Sequence, residues 1–282
     1  MDPLVSTDWL AERLDDGNLR IVDCRFSFDD PGLGPRVYRE AHIPGAVYLD
    51  WTRDISEPRD GLLYMAPSAD YLRASLEHLG IGGDTTVVGY DDEGGHYVSR
   101  LWLIMRSFGL DSVRLLDGGW TKWTAEGRPT RSGDEAPEAC RLTSLRPVSS
   151  VLVDADEVLR RSDDPKTLLL DVRRLSEFTG EEARSKHGGH IPGAKWMLWQ
   201  DNLDWDGDRT FRPDAEVRRR YEEAGVTSDK CVITYCHGAV RAAHVALELT
   251  RLGYPDVQVY DGSWEEWGSR DDLPIEQGAP RL

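Results

Sequence analysis

Cysteine is scarce in this sequence. The chain of 282 residues contains four, namely Cys24, Cys140, Cys231 and Cys236. No two of them have the C-x-x-C spacing typical of metal ligands, so the cysteines predict no metal centre. So few thiols also predict no structural disulfides. One of the four can still be reactive, and its sequence context has to show which.

Positive charge and long hydrophobic runs are also lacking. Lys and Arg number 34 against 51 Asp and Glu, which gives a formal net charge of −17 at pH 7. Because nucleic acids and anionic membranes repel such a chain, we expect neither as a partner. No apolar run is long enough to cross a bilayer, and Met1–Val5 lacks the basic and apolar regions of a signal peptide. We therefore expect a cytoplasmic protein, in which a site for an anion must supply its own local positive field.

What the sequence does contain is an internal repeat. Three motifs occur twice, in the same order and at offsets of 144 to 148 residues: His42–Ala46 and His190–Ala194, Thr86–Tyr90 and Cys231–Tyr235, Asp117–Trp120 and Asp261–Trp264. A period of this length indicates a duplicated domain and not a solenoid. The polar segment after Arg128 is rich in Pro and Gly and has no periodicity, as is typical of a linker. We predict a first domain at residues 1–128, a linker at 129–148 and a second domain at 149–282.

Each half alternates short apolar runs with amphipathic stretches. In the second half we predict strands at Thr167–Asp171, Cys231–Tyr235 and Val257–Tyr260. The apolar residues between 242 and 252 follow helical spacing, and Gly253 supplies a helix stop. The alternation predicts an α/β fold: two tandem domains, each a mostly parallel sheet with helices on both faces.

The loop Cys236–Arg241 carries the chemistry. It lies between a predicted buried strand and a predicted helix, where open parallel sheets bind ligands. A tight loop turns its backbone N–H groups inward, and the helix adds its positive end, so a thiolate is favoured over a thiol at Cys236. Gly238 and Ala239 are small enough to let these N–H groups converge, and Arg241 adds a permanent positive charge. A persulfide, whose outer sulfur is anionic, has the same requirements.

The length of the loop separates two kinds of anion chemistry. Tyrosine-specific and dual-specificity phosphatases have five residues between the nucleophilic cysteine and an arginine. Here four residues separate Cys236 from Arg241, and Ala242 occupies the position of the phosphatase arginine. The shorter loop favours sulfur over a phosphoryl group.

The sequence resembles the two-domain thiosulfate/3-mercaptopyruvate sulfurtransferases of the rhodanese family. The resemblance includes the repeated His-Ile-Pro-Gly turn, the strand end at Asp171, the Asp-Gly-Ser-Trp motif and the loop starting at Cys236. It implies that Cys236 is the catalytic nucleophile, with His237, Gly238, Ala239, Val240 and Arg241 as the binding loop. It also implies that the first domain is catalytically silent, because Asp91 stands at the position that matches Cys236.

The resemblance also suggests supporting residues. Members of the family use a basic residue six positions after the strand-end Asp171, but here that residue is Glu177. We expect Glu177 to position Arg241 or a loop amide, and we expect no clamp for a mercaptopyruvate carboxylate. In the silent half, Tyr97 lies in a segment that resembles the one leaning on the active loop. We expect Tyr97 to form part of the pocket wall.

Arg241 favours thiosulfate as the sulfur donor, because mercaptopyruvate enzymes tend to end this loop in Gly-Val-Thr. His237 stands where the family often has Arg, and the family's usual Gly at the fourth position is replaced by Ala239. The expected reaction is a double displacement from a small anionic donor to cyanide or a thiol, without a metal or organic cofactor. The alternatives are a 3-mercaptopyruvate sulfurtransferase, a cysteine-based phosphatase or arsenate reductase, and a non-catalytic module of the same fold that relays sulfur or binds a protein.

Overall fold

The computed structural model of the protein describes residues 2–137, 140–142 and 145–280. Its contacts divide the chain into two compact units. Unit 1 comprises Met1–Glu57, Ala66–Val148 and Leu203–Phe211, and unit 2 comprises Pro58–Met65, Ser149–Asn202 and Arg212–Leu282. Four residues of the predicted linker (138, 139, 143 and 144) and three terminal residues of the predicted domains (1, 281 and 282) lie outside the described residues. The predicted boundaries at 128 and 149 stay a prediction.

Unit 1 contains a sheet of five parallel strands, in the order β1-β7-β6-β2-β3. The elements in chain order are β1 (Leu4–Val5), α1 (Thr7–Ala11), β2 (Leu19–Asp23), α2 (Leu33–Glu40), β3 (Ala46–Tyr48), α3 (Trp51–Asp54), β4 (Glu57–Arg59), β5 (Leu62–Met65), α4 (Ala69–His78), β6 (Thr86–Tyr90), α5 (His96–Ser107), β7 (Val113–Leu116) and α6 (Gly119–Ala125). Of these, β5 and two of the three residues of β4 belong to unit 2.

Unit 2 repeats the same architecture, with five parallel strands in the order β10-β9-β11-β12-β8. Its elements are β8 (Leu152–Val153), α7 (Ala155–Arg161), β9 (Thr167–Asp171), α8 (Leu175–Thr179), β10 (Lys195–Trp196), a 3-10 helix at Trp199–Asn202, α9 (Asp214–Glu223), β11 (Cys231–Tyr235), α10 (Val240–Arg251), β12 (Val257–Tyr260) and α11 (Ser263–Trp267). Strand β11 is central, between β9 and β12, as β6 is central in unit 1. The predicted fold class is confirmed.

The central strands form because their residues suit a sheet that is buried. In β9 and β11, every residue except the first is buried, and their sequences are near-continuous apolar runs, as parallel strands covered by helices require. The hydrophobic core of unit 2 contains large buried aromatic side chains, including Phe178, Tyr235, Trp264 and Trp267. The three strands predicted in this half have the bounds expected from the sequence.

Helix α10 follows directly on the loop after β11. It presents buried residues over most of its 12 positions, and it ends before Gly253, which adopts a left-handed φ of 85° as a helix stop often does. The N-terminus of α10 is therefore held at the carboxyl end of the central strand. No helix in the described part of the chain is both long and apolar enough to cross a membrane.

Strands β4 and β5 form a hairpin with a two-residue turn. Asp60 and Gly61 have φ values of 53° and 86°, as expected for the Asp-Gly turns that match the twist of a hairpin. The hairpin segment Pro58–Met65 comes from the first half of the sequence and belongs to unit 2. The sequence analysis did not foresee this assignment.

Candidate active site

The loop after β11 places Cys236 at the carboxyl end of the central strand of unit 2. Its backbone is fixed from both sides: the N–H of Cys236 donates to Ser263 Oγ (3.2 Å), and its carbonyl accepts from the N–H of Trp264 (3.0 Å). The residue is 1% exposed, so its sulfur is shielded from bulk water. Such shielding protects a labile intermediate from side reactions.

The loop leads directly into helix α10 and contains several unpaired N–H groups. Ala239 adopts a left-handed conformation, with φ of 57°, and Val240 begins α10. Within the described residues, the N–H groups of Gly238, Val240 and Ala242 have no hydrogen-bond acceptor. Unpaired N–H groups at the start of a 12-residue helix form an anion-binding arrangement, because they combine free donors with the positive end of the helix dipole.

Arg241 makes a two-pronged ion pair with Glu177. Nη1 of Arg241 lies 2.7 Å from Oε2 and Nη2 lies 3.0 Å from Oε1 of the carboxylate. Burial alone would raise the pKa of Glu177, but the hydrogen bonds and charge of Arg241, and the charge of Arg173, lower that pKa to about 2. Because both terminal nitrogens of Arg241 contact one carboxylate, the pair as a whole carries little net charge.

His237 is uncharged at neutral pH. Burial, and then the charges of Arg184 and Arg241, lower the pKa of His237 to about 4. Its carbonyl accepts from the N–H of Glu265, so the backbone of the loop is anchored to α11 at two successive residues. Within the described residues, the ring Nδ1 of His237 is buried and has no hydrogen-bond partner.

Asp171 lies at the end of β9 and pairs with Arg173. The contact is two-pronged, with nitrogen–oxygen distances of 2.6 to 3.1 Å, and the Arg173 guanidinium lies 4.5 Å above the ring of Trp264. Unit 1 contains the same arrangement in Asp23 and Arg25. A feature present in both units supports the fold around the site, since unit 1 has no cysteine after its central strand.

Tyr97 lies in unit 1, in the first turn of α5, where it is buried. Its ring stacks on Trp51 at 6.0 Å between centroids and meets Phe26 edge-on at 5.6 Å. Its expected place in the wall of the Cys236 pocket stays a prediction, as do the functional roles assigned to Cys236, His237, Gly238, Ala239, Val240, Arg241, Asp171 and Glu177.

Three residues near the loop were not predicted from the sequence. Ser263 fixes the Cys236 backbone, and the signal was available, since the first copy of the Asp-Gly-Ser-Trp motif has Gly119 in its place. Arg184 lies 3.8 Å from Glu177 and is 39% exposed, which leaves its guanidinium accessible. Tyr64 of the hairpin lies against Gly238, because a Cβ added at Gly238 would sit 3.3 Å from its ring. For Arg184, in an irregular segment, and for Tyr64, which is distant in sequence from the loop, the sequence contains no recognisable signal of these contacts.

Both halves of the chain match the model of the rhodanese-like domain, at residues 6–126 and 154–270. A sulfur carrier protein of Thermus thermophilus is 36% identical over 98% of this chain and 96% of its own length. A probable 3-mercaptopyruvate sulfurtransferase of Pseudomonas aeruginosa is 36% identical over 98% of both chains. The thiosulfate sulfurtransferase of Mus musculus is 34% identical over 95% of this chain and 92% of its own.

The chain is a sulfurtransferase of the rhodanese family. Among solved structures, SseA of Escherichia coli, described with the rhodanese fold and catalytic mechanism of 3-mercaptopyruvate sulfotransferases, superimposes with a TM-score of 0.84. It is 29% identical and covers 94% of this chain and 99% of its own. The relatives of this rhodanese include enzymes named for thiosulfate and enzymes named for 3-mercaptopyruvate, so the family assignment leaves the sulfur donor open.

Proposed function

We propose that the protein is a thiosulfate sulfurtransferase that carries sulfur as a persulfide on Cys236. The thiolate attacks the outer sulfur of thiosulfate, a new bond forms between the two sulfurs, and the bond to the sulfonate breaks. Its electron pair leaves with sulfite. In the second step cyanide or a thiolate takes the outer sulfur, and the electron pair of the broken bond restores the Cys236 thiolate.

The observation that carries the proposal is the presence of unpaired N–H groups in the loop after Cys236 and in the first turn of α10. Those of Gly238, Val240 and Ala242 have no acceptor within the described part of the chain. A persulfide places a negatively charged sulfur one bond beyond Sγ, and unpaired N–H donors of the same loop can stabilise that charge. Fixed donors of this kind cost no reorganisation when the charge develops.

The ion pair of Arg241 and Glu177 shapes the loop, and Arg184 supplies the accessible charge. Because Arg241 binds Glu177 with both terminal nitrogens, its role in orienting the donor is indirect. Arg184 is partly exposed, and its charge affects His237 more strongly than that of Arg241 does. Because a guanidinium binds oxyanions, we assign Arg184 the role of binding the sulfonate of an entering donor.

The second candidate is a 3-mercaptopyruvate sulfurtransferase, and the accessibility of Arg184 favours it equally. A guanidinium binds a carboxylate as readily as a sulfonate, so the expectation of no carboxylate clamp drawn from Glu177 did not take Arg184 into account. Steady-state assays with both donors separate the candidates. We expect a higher kcat/KM for thiosulfate, and a clear preference for mercaptopyruvate would reverse the assignment.

The sulfur-carrying step is tested by intact-protein mass after incubation with thiosulfate. We expect wild type to gain one sulfur atom and to lose it on addition of cyanide, whereas Cys236→Ser gains none. Cys231→Ser is the matched control, because Cys231 starts the same strand but lies outside the loop, and it should behave as wild type. No gain in wild type would indicate a non-catalytic module, and appreciable turnover of an aryl phosphate would revive the phosphatase alternative.

A further inference from the structure

The loop after the central strand of unit 1 surrounds a carboxylate. Asp91 follows β6 as Cys236 follows β11, and its carbonyl accepts from the N–H of Trp120 (2.8 Å), as that of Cys236 accepts from Trp264. The side chain of Asp91 is fully buried. The two loops therefore correspond in backbone contacts as well as in sequence register.

Both oxygens of Asp91 accept hydrogen bonds from the backbone of its own loop. Oδ1 accepts from the N–H groups of Glu93 (2.9 Å) and Gly95 (2.7 Å). Oδ2 accepts from those of Tyr97 (3.0 Å) and Val98 (3.3 Å). Four N–H groups thus converge on one carboxylate, which is the arrangement that proteins use to bind a free anion.

The donors of unit 1 have direct counterparts in unit 2. At the constant offset of 145 residues that relates Asp91 to Cys236, Glu93, Gly95 and Tyr97 correspond to Gly238, Val240 and Ala242. Within the described residues, the N–H groups of these three positions have no acceptor, as is also true of His237, Ala239 and Arg241. The counterpart of the fourth donor, Val98, is Ala243, whose N–H donates to the carbonyl of Ala239 (3.2 Å). Three of the four N–H groups that bind the Asp91 carboxylate in unit 1 are thus unpaired at the equivalent positions of unit 2.

We propose that the loop 91–98 of unit 1 is an anion-binding site that the carboxylate of Asp91 occupies permanently, and that removing this carboxylate opens the site to a small carboxylate such as formate. The silence of unit 1 then has two causes. Its loop lacks a sulfur nucleophile, and its donors are already satisfied, so an anionic donor or intermediate finds no binding site there. The proposal does not depend on Cys236 carrying sulfur.

The hydrogen bonds specify the ionised form of Asp91. Each of the four partners is an N–H donor, and every such bond favours the carboxylate over the carboxylic acid. Burial, the largest influence, raises the pKa of Asp91 to about 7, while the N–H groups of Gly95, Glu93 and Val98 lower it. The experiment is therefore best performed at pH 8, where Asp91 is ionised and formate is also an anion.

The test is the hydrogen exchange of the 91–98 segment in Asp91→Ala, measured on the full chain by mass spectrometry with and without formate. The Asp91→Ala substitution keeps Cβ and removes the carboxylate group, which is the group that formate can replace. We expect exchange of this segment to be about tenfold or more faster than in wild type, since bonds to a charged acceptor are lost. Added formate should slow exchange and raise the thermal midpoint, whereas formamide, which is neutral and of similar size, should do neither.

Two variants provide the controls. Asp92→Ala removes an exposed carboxylate from the next position. Its 91–98 segment should exchange hydrogen at the wild-type rate, and formate should change neither that rate nor the thermal midpoint. Asp91→Asn keeps the site filled but turns an amide donor toward N–H donors, so it should be destabilised and not rescued by formate. Should Asp91→Ala fail to fold, refolding in formate against formamide tests the same point. Equal effects of formate and formamide, or wild-type exchange in Asp91→Ala, would overturn the proposal.

Discussion

At the residue scale, the site depends on balanced buried charge. Glu177 is almost fully buried and Arg241 is largely so, and each would be costly to bury alone. Together they satisfy each other in a two-pronged contact and fix the end of the loop that begins at Cys236. Arg241, which the sequence predicts to offset negative charge, therefore contributes in this structure to holding the loop in place through Glu177.

We expect Glu177→Gln to lower the free energy of unfolding by about 3 kcal/mol at pH 7, because it leaves the Arg241 charge buried without its partner. The folded-state pKa of Glu177 is about 2, below its ordinary value of 4.5. The pair therefore stabilises the wild type fully above pH 4.5, and this contribution is lost as the pH falls toward 2. Urea unfolding at several pH values measures this. Between pH 4.5 and 2, the free energy of unfolding should fall less steeply with decreasing pH in Glu177→Gln than in wild type.

Glu181→Gln is the matched control, because this residue is close in sequence but exposed. It should leave both the stability at pH 7 and its pH dependence unchanged within about 0.5 kcal/mol. An unaltered pH dependence in Glu177→Gln would show that the ion pair contributes nothing to stability.

Ser263 decides the position of the Cys236 backbone. Its Oγ accepts from the Cys236 N–H and donates to the carbonyl of Tyr260 (2.8 Å). Ser263→Ala should cost about 1–3 kcal/mol, because two buried backbone groups lose a partner, and it should slow persulfide formation. The readout is hydrogen exchange of the Cys236 N–H together with the rate of sulfur uptake from thiosulfate.

A second variant separates the lost hydrogen bonds from backbone strain. Ser263 has a φ of 49°, in the left-handed region, and Gly119 occupies the equivalent place in unit 1 with a φ of 50°. Ser263→Gly loses the same hydrogen bonds but adopts this conformation freely, so it should be less destabilised than Ser263→Ala and equally slow in sulfur uptake. Wild-type rates of sulfur uptake in both variants would show that Ser263 has no role in persulfide formation.

At the scale of elements, the sequence predicts regular structure well where one pattern suffices. The strands β9, β11 and β12 have their predicted bounds, because each is a short apolar run between polar breakers and no tertiary contact is needed to recognise it. The predicted loop and helix after Cys236 follow from the same reasoning. The internal repeat strengthened these predictions, since each half is a check on the other.

The surroundings of the loop could not be predicted to the same extent. The hairpin segment Pro58–Met65 belongs to unit 2 and brings Tyr64 against Gly238, although its sequence gives no sign of this contact. Arg184 lies in an irregular segment between α8 and β10, where no periodicity indicates which way a side chain points. Such contacts are set by packing between distant segments and not by local pattern.

The start of α10 depends on a conformation that alanine adopts at a cost. Ala239 has a φ of 57° and is fully buried, whereas the family more often has glycine at this position of the loop. Ala239→Val should lower stability by at least about 2 kcal/mol, because a β-branched residue fits neither the left-handed region nor the space. It should also reduce sulfur uptake, because the N–H groups no longer converge.

Ala239→Gly should change stability by no more than about 1 kcal/mol, since relief of strain offsets a lost buried methyl group and added freedom in the unfolded chain. Ala125→Val, at an exposed position in the last turn of α6, controls for the lower helix propensity of valine. Thermal unfolding and the mass gain with thiosulfate measure both effects. A stable and fully active Ala239→Val would mean that the left-handed turn is not needed to form the loop.

At the scale of the whole molecule, the distribution of roles follows from duplication. Both units retain the sheet order and the buried Asp–Arg pair, so these features belong to the fold. The units differ after the central strand, where one has a cysteine among unpaired N–H groups and the other a carboxylate that binds the equivalent groups. The two units therefore share one framework and differ in what surrounds the loop after the central strand.

The net charge of −17 opposes the approach of an anionic donor to this framework. Charges over the whole surface act at about 30 Å in 0.01 M salt but only at about 10 Å in 0.1 M salt, whereas the proposed contact of Arg184 with a donor is short-range. As the salt concentration rises, the long-range repulsion by the acidic surface is therefore weakened more than the short-range attraction by Arg184. We expect the second-order rate of persulfide formation with thiosulfate to rise roughly two- to fivefold between these ionic strengths. Stopped-flow or quenched mass measurements give this rate, and alkylation of Cys236 by neutral iodoacetamide, which should not respond to salt, is the control. A rate that instead falls with salt would mean that the cations of the site, and not the acidic surface, govern the encounter.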